Sequence, residues 1–380
     1  MKIDGDWRTH PGTQALCLAL EHAGHQALFV GGSVRNAILG MPVVDIDIAT
    51  DARPEIVTEL AEKAGFKVVP TGFAHGTVTV IAAGKPHEVT TFRRDVVTDG
   101  RRALVAFAAD LTEDASRRDF TMNALYADWH GRVIDPLGGL ADLQARRVRF
   151  VGDAGMRIRE DYLRILRFFR FHAQYGDPDC GLDAEGLAAC AALAEGVDAL
   201  SRERVGAEVK KLLSAPDPAP AMAAMAQSGV LARVLPGADA TALAPLVHLE
   251  AGLMPRWMRR LAVIGGEGVA DALRLARAEA AGLLAVQQSV GTTLSPAALG
   301  WTLGGAAATD TVLARAVLLE TALPDDWQAE VQRGQSATFP ISAADFMPDL
   351  QGVTLGKHLR ALQKRWLASD LRLTRAELLS

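Results

Sequence analysis

The chain has 380 residues, which is long enough for two to four domains and too long for one small core. Hydrophobic residues make up 49% of the chain, charged residues make up 22%, and the mean hydropathy is +0.12. This composition is typical of a folded globular protein and excludes an intrinsically disordered chain. The formal charge of −5 and the pI near 6.0 exclude a uniformly basic protein, so any contact with nucleic acid must come from local basic surface.

The cysteine content and the lack of long apolar segments indicate a protein of the reducing cytoplasm. Cys17, Cys180 and Cys190 are too few and too scattered for a disulfide framework or a zinc ribbon. No apolar run approaches the roughly 18 residues of a membrane span, and the first residues lack the apolar core of a signal peptide. We therefore expect a cytoplasmic location and no membrane partner.

Short strand-like and helical segments alternate over residues 1–145, which predicts a small domain containing both helices and strands. The predicted strands cover residues 27–30, 43–49, 66–69, 77–82 and 88–92, and the predicted helices cover residues 33–39 and 54–64.

A glycine pair joins the first predicted strand to the first predicted helix. Gly31 and Gly32 allow the backbone to approach a phosphate closely, and the amides at the start of a helix favour anions. Arg35 adds a fixed positive charge one turn later. Most glycine pairs are simply turns, so this feature acquires meaning only from its neighbours.

The next predicted strand alternates acidic and apolar residues. A period of two places Asp45 and Asp47 on one face, where paired carboxylates are tolerated mainly when a divalent cation offsets their charge. Glu88, on a later strand, is a candidate third carboxylate. An isolated acidic pair also fits a solvated edge strand, and Glu88 also fits ordinary surface. Beside a phosphate-binding turn, the pair predicts Mg²⁺-assisted phosphoryl transfer with Asp45 and Asp47 as ligands.

The stretch that follows the third carboxylate is highly charged. Residues 93–102 contain four arginines, two aspartates and one glycine with poor periodicity, which predicts a mobile loop. An ordinary solvated loop explains this composition equally well.

From about Asp153 onward the strand signals fade and helical periodicity dominates, with a last helix predicted over residues 355–368. The segment from Gly356 to Arg375 has a local charge of +5, which suits RNA phosphates but also suits a soluble helix face. Its basic residues are Lys357, Arg360, Lys364, Arg365, Arg372 and Arg375, opposed by Asp370 alone.

Five segments, in this order, resemble the motifs of bacterial class II tRNA nucleotidyltransferases, within the poly(A) polymerase superfamily. They are Gly-Gly-Ser-Val-Arg at 31–35, Asp-Ile-Asp at 45–47, Arg-Arg-Asp-Phe-Thr-Met-Asn-Ala at 117–124, Glu-Asp-Tyr-Leu-Arg-Ile-Leu-Arg-Phe-Phe-Arg at 160–170 and Ser-Arg-Glu-Arg-Val at 201–205. The resemblance extends over residues 27–211.

The resemblance implies an α+β fold, with a polymerase-β-like nucleotidyltransferase head followed by an all-helical neck, body and tail. The corresponding divisions are residues 1–145, 146–215, 216–335 and 336–380. It also implies template-independent addition of CCA to the 3′ end of tRNA, with CTP and ATP as substrates and Mg²⁺ as cofactor. The stretch at 93–102 corresponds to a loop that helps such enzymes change from CTP to ATP.

The resemblance also implies roles for individual residues. Gly32 and Arg35 hold the triphosphate. Three residues contact the nucleotide's sugar and phosphates: Arg118, Asp119 and Asn123. Four more line the base-reading helix: Asp161, Arg164, Arg167 and Arg170.

The proposed base-reading pair has a physical rationale. At i and i+3 of a predicted helix, Asp161 and Arg164 would lie on one face and offer an acceptor and a forked donor to a base. The alternative is an exposed helix with ion pairs such as Glu160 with Arg164. The neighbouring Phe168, Phe169 and Phe171 are predicted to be packing residues.

Other functions share parts of this pattern. A poly(A) polymerase or a CC-adding or A-adding specialist has nearly the same motifs. A noncatalytic RNA-binding adaptor would not need Asp45, Asp47 or Arg118, and a glycosyltransferase with an acidic pair would leave the later motifs unexplained. The chain contains no His-Asp dipeptide, so we expect no fused phosphohydrolase domain. The oligomeric state is left open.

Overall fold

The computed structural model describes residues 1–99, 102–108, 110–347 and 349–380. The chain divides into two compact units, Met1–Val197 and Asp198–Ser380, which are described separately. The proposed division into head, neck, body and tail stays a prediction.

The first unit contains a seven-stranded mixed sheet and a separate two-stranded hairpin, with helices around them. The strands are β1 (Leu28–Val30), β2 (Asp47–Thr50), β3 (Lys67–Gly72), β4 (Thr77–Ala82), β5 (Lys85–Thr91), β6 (Arg93–Asp99), β7 (Arg102–Phe107), β8 (Tyr126–Asp128) and β9 (Val133–Ile134). The helices are α1 (Asp6–Thr9), α2 (Pro11–His22), α3 (Gly32–Ile38), α4 (Pro54–Lys63), α5 (Leu111–Ser116), α6 (Gly139–Gln144), α7 (Ala154–Glu160), α8 (Leu163–Tyr175) and α9 (Ala184–Ala192), with 3₁₀ turns at Phe73–His75 and Thr121–Asn123.

The order of strands in the sheet is β3-β4-β5-β2-β1-β8-β9. Strands β2 and β5 are parallel, and every other neighbouring pair is antiparallel. In the parallel pair Asp47 lies opposite Glu88. The topology therefore brings together two carboxylates that are 41 residues apart in the sequence.

The core of the first unit lies on the central strands and under α8. Every residue of β1 is buried, as is Tyr126 at the start of β8. Phe168, Phe169 and Phe171 are 0%, 0% and 4% exposed, so the prediction that they are packing residues is confirmed. Burying side chains of this size supplies much of the free energy that holds α8 in place.

Three sequence predictions about local structure are wrong. Strand β2 begins at Asp47 rather than at residue 43, and Val44 is 85% exposed, because the hydrogen bonding to β5 begins only where Ile46 accepts from the Glu88 amide. The charged stretch after Phe92 was predicted to be a mobile loop, but its described residues belong to β6 and β7, which form an antiparallel hairpin. The part of that prediction at residues 100 and 101 lies outside the described residues.

The third error concerns the predicted helix that carries both Asp161 and Arg164. The chain leaves the helical conformation at Asp161, where φ is −156° and ψ is 105°, so α7 and α8 are separate helices. The Asp161 carboxylate accepts a hydrogen bond from the Leu163 amide at 3.1 Å and so satisfies one of the free amides at the start of α8.

The second unit contains helices and no strand among its described residues. They are α10 (Arg202–Leu213), α11 (Ala219–Gln227), α12 (Val230–Val234), α13 (Leu243–Leu249), α14 (Trp257–Ile264), α15 (Val269–Ala272), α16 (Arg277–Val290), α17 (Pro296–Leu303), α18 (Gly305–Leu318), α19 (Trp327–Ser336), α20 (Gly352–Ala368) and α21 (Arg375–Leu379). Helix α20 covers the predicted residues 355–368 and begins three residues earlier, whereas α21 was not predicted.

Ion pairs are buried inside this helical unit. The Glu250 carboxylate accepts from Arg259 Nε at 2.6 Å and from Arg260 Nη2 at 2.7 Å, and all three side chains are at most 4% exposed. Removing one partner of such a group leaves a buried charge without compensation, so the cluster is a structural element.

No helix of the described residues is long and apolar enough to cross a membrane.

The structure confirms the predicted fold class, in which an α+β part is followed by helices.

Candidate active site

The glycine turn after β1 forms one wall of the site. Gly31 has φ 65° and ψ −117°, a conformation that side chains disfavour, and its amide donates to the Leu125 carbonyl at 3.1 Å. A Cβ atom at Gly31 would lie 3.4 Å from Arg118 Nη1. The turn therefore brings open backbone close to an arginine, and α3 begins at Gly32.

Asp47 and Glu88 lie on the neighbouring strands β2 and β5, and Asp45 lies just before β2. Burial raises the pKa of Asp47 to about 6, and the negative charges of Glu88 and Asp45 add to this effect, whereas Arg118 opposes it. Asp45 is exposed and Asp47 is partly buried. Glu88 and Asp45 therefore both repel the Asp47 carboxylate in the structure, and a cation near Asp47 would relieve that repulsion.

A divalent metal fits these donors. Mg²⁺ is usually held by one or two carboxylates together with waters and substrate phosphates. Within the described part of the chain, no group of three or more His, Cys, Asp or Glu side chains is arranged to hold a metal ion. Asp45 and Asp47 would thus leave ligand positions for water and a triphosphate.

Arg118 is fixed beside the turn by two partners. Its Nε donates to the Tyr126 hydroxyl at 3.0 Å and its Nη2 donates to Asp114 Oδ2 at 2.9 Å. Asp114 is only 2% exposed. Sequence reasoning missed Asp114 and Tyr126, although the i,i+4 spacing of Asp114 and Arg118 is a recognisable ion-pair signal.

Arg35 lies in a buried network and is 6% exposed. Its Nη1 donates to Asn123 Oδ1 at 2.5 Å, and its Nη2 donates to the Tyr175 hydroxyl at 2.8 Å. The guanidinium carbon also lies 4.0 Å from the centre of the Tyr175 ring, which is a cation–π geometry. Burial lowers the pKa of Arg35, which nevertheless remains charged because arginine titrates so far above neutrality.

Asp119 connects this network to α8. Its Oδ1 accepts from the Phe120 amide at 2.8 Å and from Asn123 Nδ2 at 2.9 Å. Its Oδ2 accepts from Arg167 Nε at 2.8 Å and from Arg167 Nη2 at 2.5 Å. Burial alone would raise the pKa of Asp119, but Arg167 and these donors lower it overall. The carboxylate is thus directed at protein donors, and its contact with a nucleotide stays a prediction.

Three arginines surround one aromatic ring of α8. The guanidinium carbons of Arg35, Arg167 and Arg170 lie 5.2, 5.2 and 4.5 Å from the centre of the Phe171 ring. Arg170 also donates to Gln174 Oε1 at 3.2 Å. The sequence analysis predicted only a packing role for Phe171, and it did not identify Tyr175. The i, i+4, i+8 spacing of Arg167, Phe171 and Tyr175 on one helix face was the available signal.

The two residues of the predicted base-reading pair do not share a helix. Asp161 lies in the break before α8, so the prediction that both residues project from one helix face is wrong. Arg164 Nη1 donates to the Arg157 carbonyl at 2.7 Å and to Glu160 Oε2 at 2.5 Å, and its Nη2 donates to the Arg117 carbonyl at 3.2 Å. The base-reading role itself stays a prediction.

A mixed sheet that carries clustered carboxylates beside a glycine turn and buried arginines defines a polymerase-β-like nucleotidyltransferase head. Residues 27–149 match the family described as "Poly A polymerase head domain", and residues 181–241 match "Probable RNA and SrmB- binding site of polymerase A". The two matched regions are similar to those of tRNA nucleotidyltransferases and poly(A) polymerases, so the resemblance seen in the sequence is confirmed.

Named relatives agree with this assignment. The chain is 41% identical over 204 residues to CCA tRNA nucleotidyltransferase 1, mitochondrial, of Mus musculus. The aligned region covers 53% of this chain and 47% of the relative. The chain is also 43% identical over 231 residues to the CCA-adding enzyme of Geobacillus thermodenitrificans. Here the aligned region covers 60% of this chain and 55% of the relative. The matched part therefore spans about half the length of these curated relatives.

A solved structure extends the likeness along the chain. The Bacillus stearothermophilus CCA-adding enzyme in complex with CTP has a TM-score of 0.71 and 27% sequence identity, and the match covers 94% of this chain and 93% of that one. Nucleotidyltransferases of this family use a divalent metal.

Proposed function

We propose that the chain adds CCA to the 3′ end of tRNA without a template, using CTP and ATP and with Mg²⁺ as the metal. The observation that carries the proposal is the cluster of Asp45, Asp47 and Glu88 next to Arg118 and the Gly31 turn. The names of the relatives support CCA as the product and tRNA as the acceptor.

In the proposed reaction the 3′ hydroxyl of the RNA attacks the α-phosphorus of the nucleotide. A new phosphodiester bond forms, the bond between the α-phosphorus and the oxygen that bridges to the β-phosphate breaks, pyrophosphate leaves, and the hydroxyl proton passes to water. Mg²⁺ bound by Asp45 and Asp47 would promote ionisation of the attacking hydroxyl and offset charge on the leaving group. Gly32, Arg35 and Arg118 would bind the triphosphate, and the network of Asp119 and Asn123 would hold Arg35 and the sugar in place.

The base would be read by Asp161 and Arg164. To reach a base, Arg164 must exchange contacts with Glu160 and the Arg157 carbonyl for contacts with the nucleotide. By analogy with base reading in DNA grooves, each good bidentate contact gives about 1–3 kcal/mol of discrimination. Loss of Asp161 is therefore expected to loosen nucleotide choice by about tenfold or more. Arg167 and Arg170 would add positive charge beside this pair.

Part of the basic segment is suited to the tRNA backbone. The tail face, defined here as Lys357, Arg360 and Lys364, lies at i, i+3 and i+7 on α20 and is exposed. Leu362 and Trp366, on the other side of the helix, are 4% and 3% exposed. We propose that the tail face binds RNA phosphates.

The other basic residues of this segment have partners within the unit. Arg365 donates to the carbonyls of Glu377 and Leu378, Arg372 pairs with Asp370, and Arg375 pairs with Asp345 at 2.5 Å. In the part of the chain that the structure describes, no ion pair involves the tail face.

A poly(A) polymerase is the second candidate, because both matched families are named after that enzyme. A noncatalytic adaptor is disfavoured, because a partly buried Asp47, whose pKa is raised by burial and by the charges of Glu88 and Asp45, has no use in a protein that only binds RNA. The proposed location is the cytoplasm, since the free cysteines Cys17, Cys180 and Cys190 fit a reducing compartment.

The test uses tRNAs that lack three, two or one of the terminal nucleotides. Each is incubated with the protein, Mg²⁺, CTP and ATP, and the 3′ ends are sequenced. Addition that completes CCA and then stops supports the proposal. Long A tails identify a poly(A) polymerase, and tRNA binding without incorporation identifies an adaptor. In the same assay, Asp161→Ala is expected to incorporate UTP or GTP, and unchanged selectivity would remove its base-reading role.

A further inference from the structure

Asp114 joins three separate parts of the first unit. Its Oδ2 accepts from Arg118 Nη2 at 2.9 Å and from the Tyr126 hydroxyl at 2.7 Å. Its Oδ1 accepts from the Arg93 amide at 3.2 Å, at the first residue of the β6–β7 hairpin. One buried carboxylate therefore connects the hairpin, the β8 strand and the arginine beside the glycine turn.

Together Asp114 and Tyr126 fix the orientation of the Arg118 guanidinium. The Tyr126 hydroxyl accepts from Arg118 Nε at 3.0 Å and donates to Asp114, so the three side chains close a hydrogen-bonded triangle. Tyr126 is 0% exposed and belongs to a strand paired with β1, which gives the triangle a rigid base. Two of the three guanidinium nitrogens are thereby committed to protein partners.

The third nitrogen faces the proposed triphosphate site. Arg118 Nη1 makes no hydrogen bond to any residue that the structure describes, and it lies 3.4 Å from the Cβ position built on Gly31. The charge of the same guanidinium opposes the rise in the pKa of Asp47, which means that it also acts on a carboxylate proposed as a metal ligand. A phosphate placed between the turn and Asp47 would meet Nη1.

The charge of Asp114 persists at neutral pH. Burial alone would raise its pKa, but Arg118 and the Tyr126 hydroxyl hold it below the ordinary value. An ionised acceptor makes stronger hydrogen bonds to a guanidinium than a neutral one does.

We infer that Asp114 and Tyr126 are positioning residues, which aim Arg118 Nη1 at the triphosphate before the nucleotide arrives. This inference rests on the proposed function, because it needs a triphosphate beside Gly31 and Asp47. Orienting the arginine in advance means that its side-chain entropy is not lost at the moment of binding, so the nucleotide binds more tightly.

The test measures equilibrium binding of CTP in the presence of Mg²⁺ and without tRNA, so that no reaction takes place. Asp114→Asn keeps the shape of the side chain and removes its charge, and Tyr126→Phe keeps the ring and removes the hydroxyl. Each is expected to weaken CTP binding about tenfold. Asp142→Asn is the matched control, because Asp142 is also buried and pairs with Arg149 but touches none of the proposed site residues. It is expected to leave CTP binding unchanged.

A double-mutant cycle separates positioning from a general loss of structure. If Asp114 acts through Arg118, Asp114→Asn will weaken CTP binding in the wild-type background and have no further effect in an Arg118→Ala background. An equal loss in both backgrounds overturns the inference, and so does unchanged CTP binding in both Asp114→Asn and Tyr126→Phe. Thermal unfolding of each variant establishes that it is folded, and Tyr126→Phe alone carries the cycle if Asp114→Asn does not fold.

Failure of the proposed function is distinguishable from failure of this inference. A wild-type protein that makes no CCA end contradicts the former, whereas a wild-type protein that completes CCA but shows additive losses in the cycle contradicts only the latter.

Discussion

Replacement of Asp47 by Asn is expected to stabilise the metal-free protein. Burial and the neighbouring carboxylates raise the pKa of Asp47 from 3.8 to about 6, so the ionised form is disfavoured in the folded state. A shift of about two units corresponds to at most about 3 kcal/mol, since one unit is worth 1.36 kcal/mol. Because Asp47 is partly exposed, solvent screening reduces this to about 1–3 kcal/mol.

The free-energy cost of the ionised Asp47 carboxylate in the folded state increases with pH. Above pH 6 the carboxylate is ionised in both the folded and the unfolded state, so the full cost is present. As the pH falls towards 3.8 the folded state takes up the proton first, and the cost disappears. The gain from Asp47→Asn should therefore be largest at pH 8 and about half as large at pH 5.

The assay is thermal unfolding in EDTA at both pH values. For a unit of this size, 1 kcal/mol shifts the midpoint by about 2–4 °C, so Asp47→Asn should raise it by about 2–12 °C at pH 8. Asp45→Asn is the control, because the exposed Asp45 carboxylate should give a smaller change. Mg²⁺ should stabilise the wild type more than Asp47→Asn. A lower midpoint for Asp47→Asn at pH 8, or a gain that is independent of pH, would refute the reasoning.

Two further predictions follow from the networks. Asn123→Ala removes the acceptor of the hydrogen bond from Arg35 Nη1. The KM for CTP should therefore rise, and the free energy of unfolding should fall by about 1–3 kcal/mol. An unchanged KM in steady-state kinetics would contradict this role of Asn123. Changing all three residues of the tail face to alanine should reduce the slope of log affinity for tRNA against log salt by about 2–3, and a slope equal to that of the wild type would show that these residues do not bind phosphates.

Much of the head was predictable from the sequence because its signals are local. The glycine pair identified the turn, the alternation of acidic and apolar residues identified only the part of the acidic strand from Asp47 onward, and the strand over residues 77–82 agrees with β4 in full. That Asp47 lies opposite Glu88 was not predictable, since it depends on a parallel pairing between strands distant in sequence.

The errors have physical causes that local patterns do not reveal. Residues 160–170 have the composition of one helix, yet the chain breaks at Asp161, next to Tyr162, whose ring packs so closely against Gly196 that no side chain fits there. Neither this long-range contact nor the hydrogen bond from the Leu163 amide to the Asp161 carboxylate is visible in the helical pattern of these residues. The β6–β7 hairpin was hidden by its charges, although the β-branched residues at 96–98 were a strand signal.

The most direct test of the central claim compares the wild type with the double variant Asp45→Ala, Asp47→Ala. Addition of one CMP to a tRNA that lacks its CCA end is followed in a single turnover with Mg²⁺, and binding of the same tRNA is measured in parallel. The double variant should add no detectable nucleotide and bind tRNA with nearly wild-type affinity, because the metal ligands are lost and the RNA-binding surface is not. Extension of the tRNA by the double variant would contradict the account.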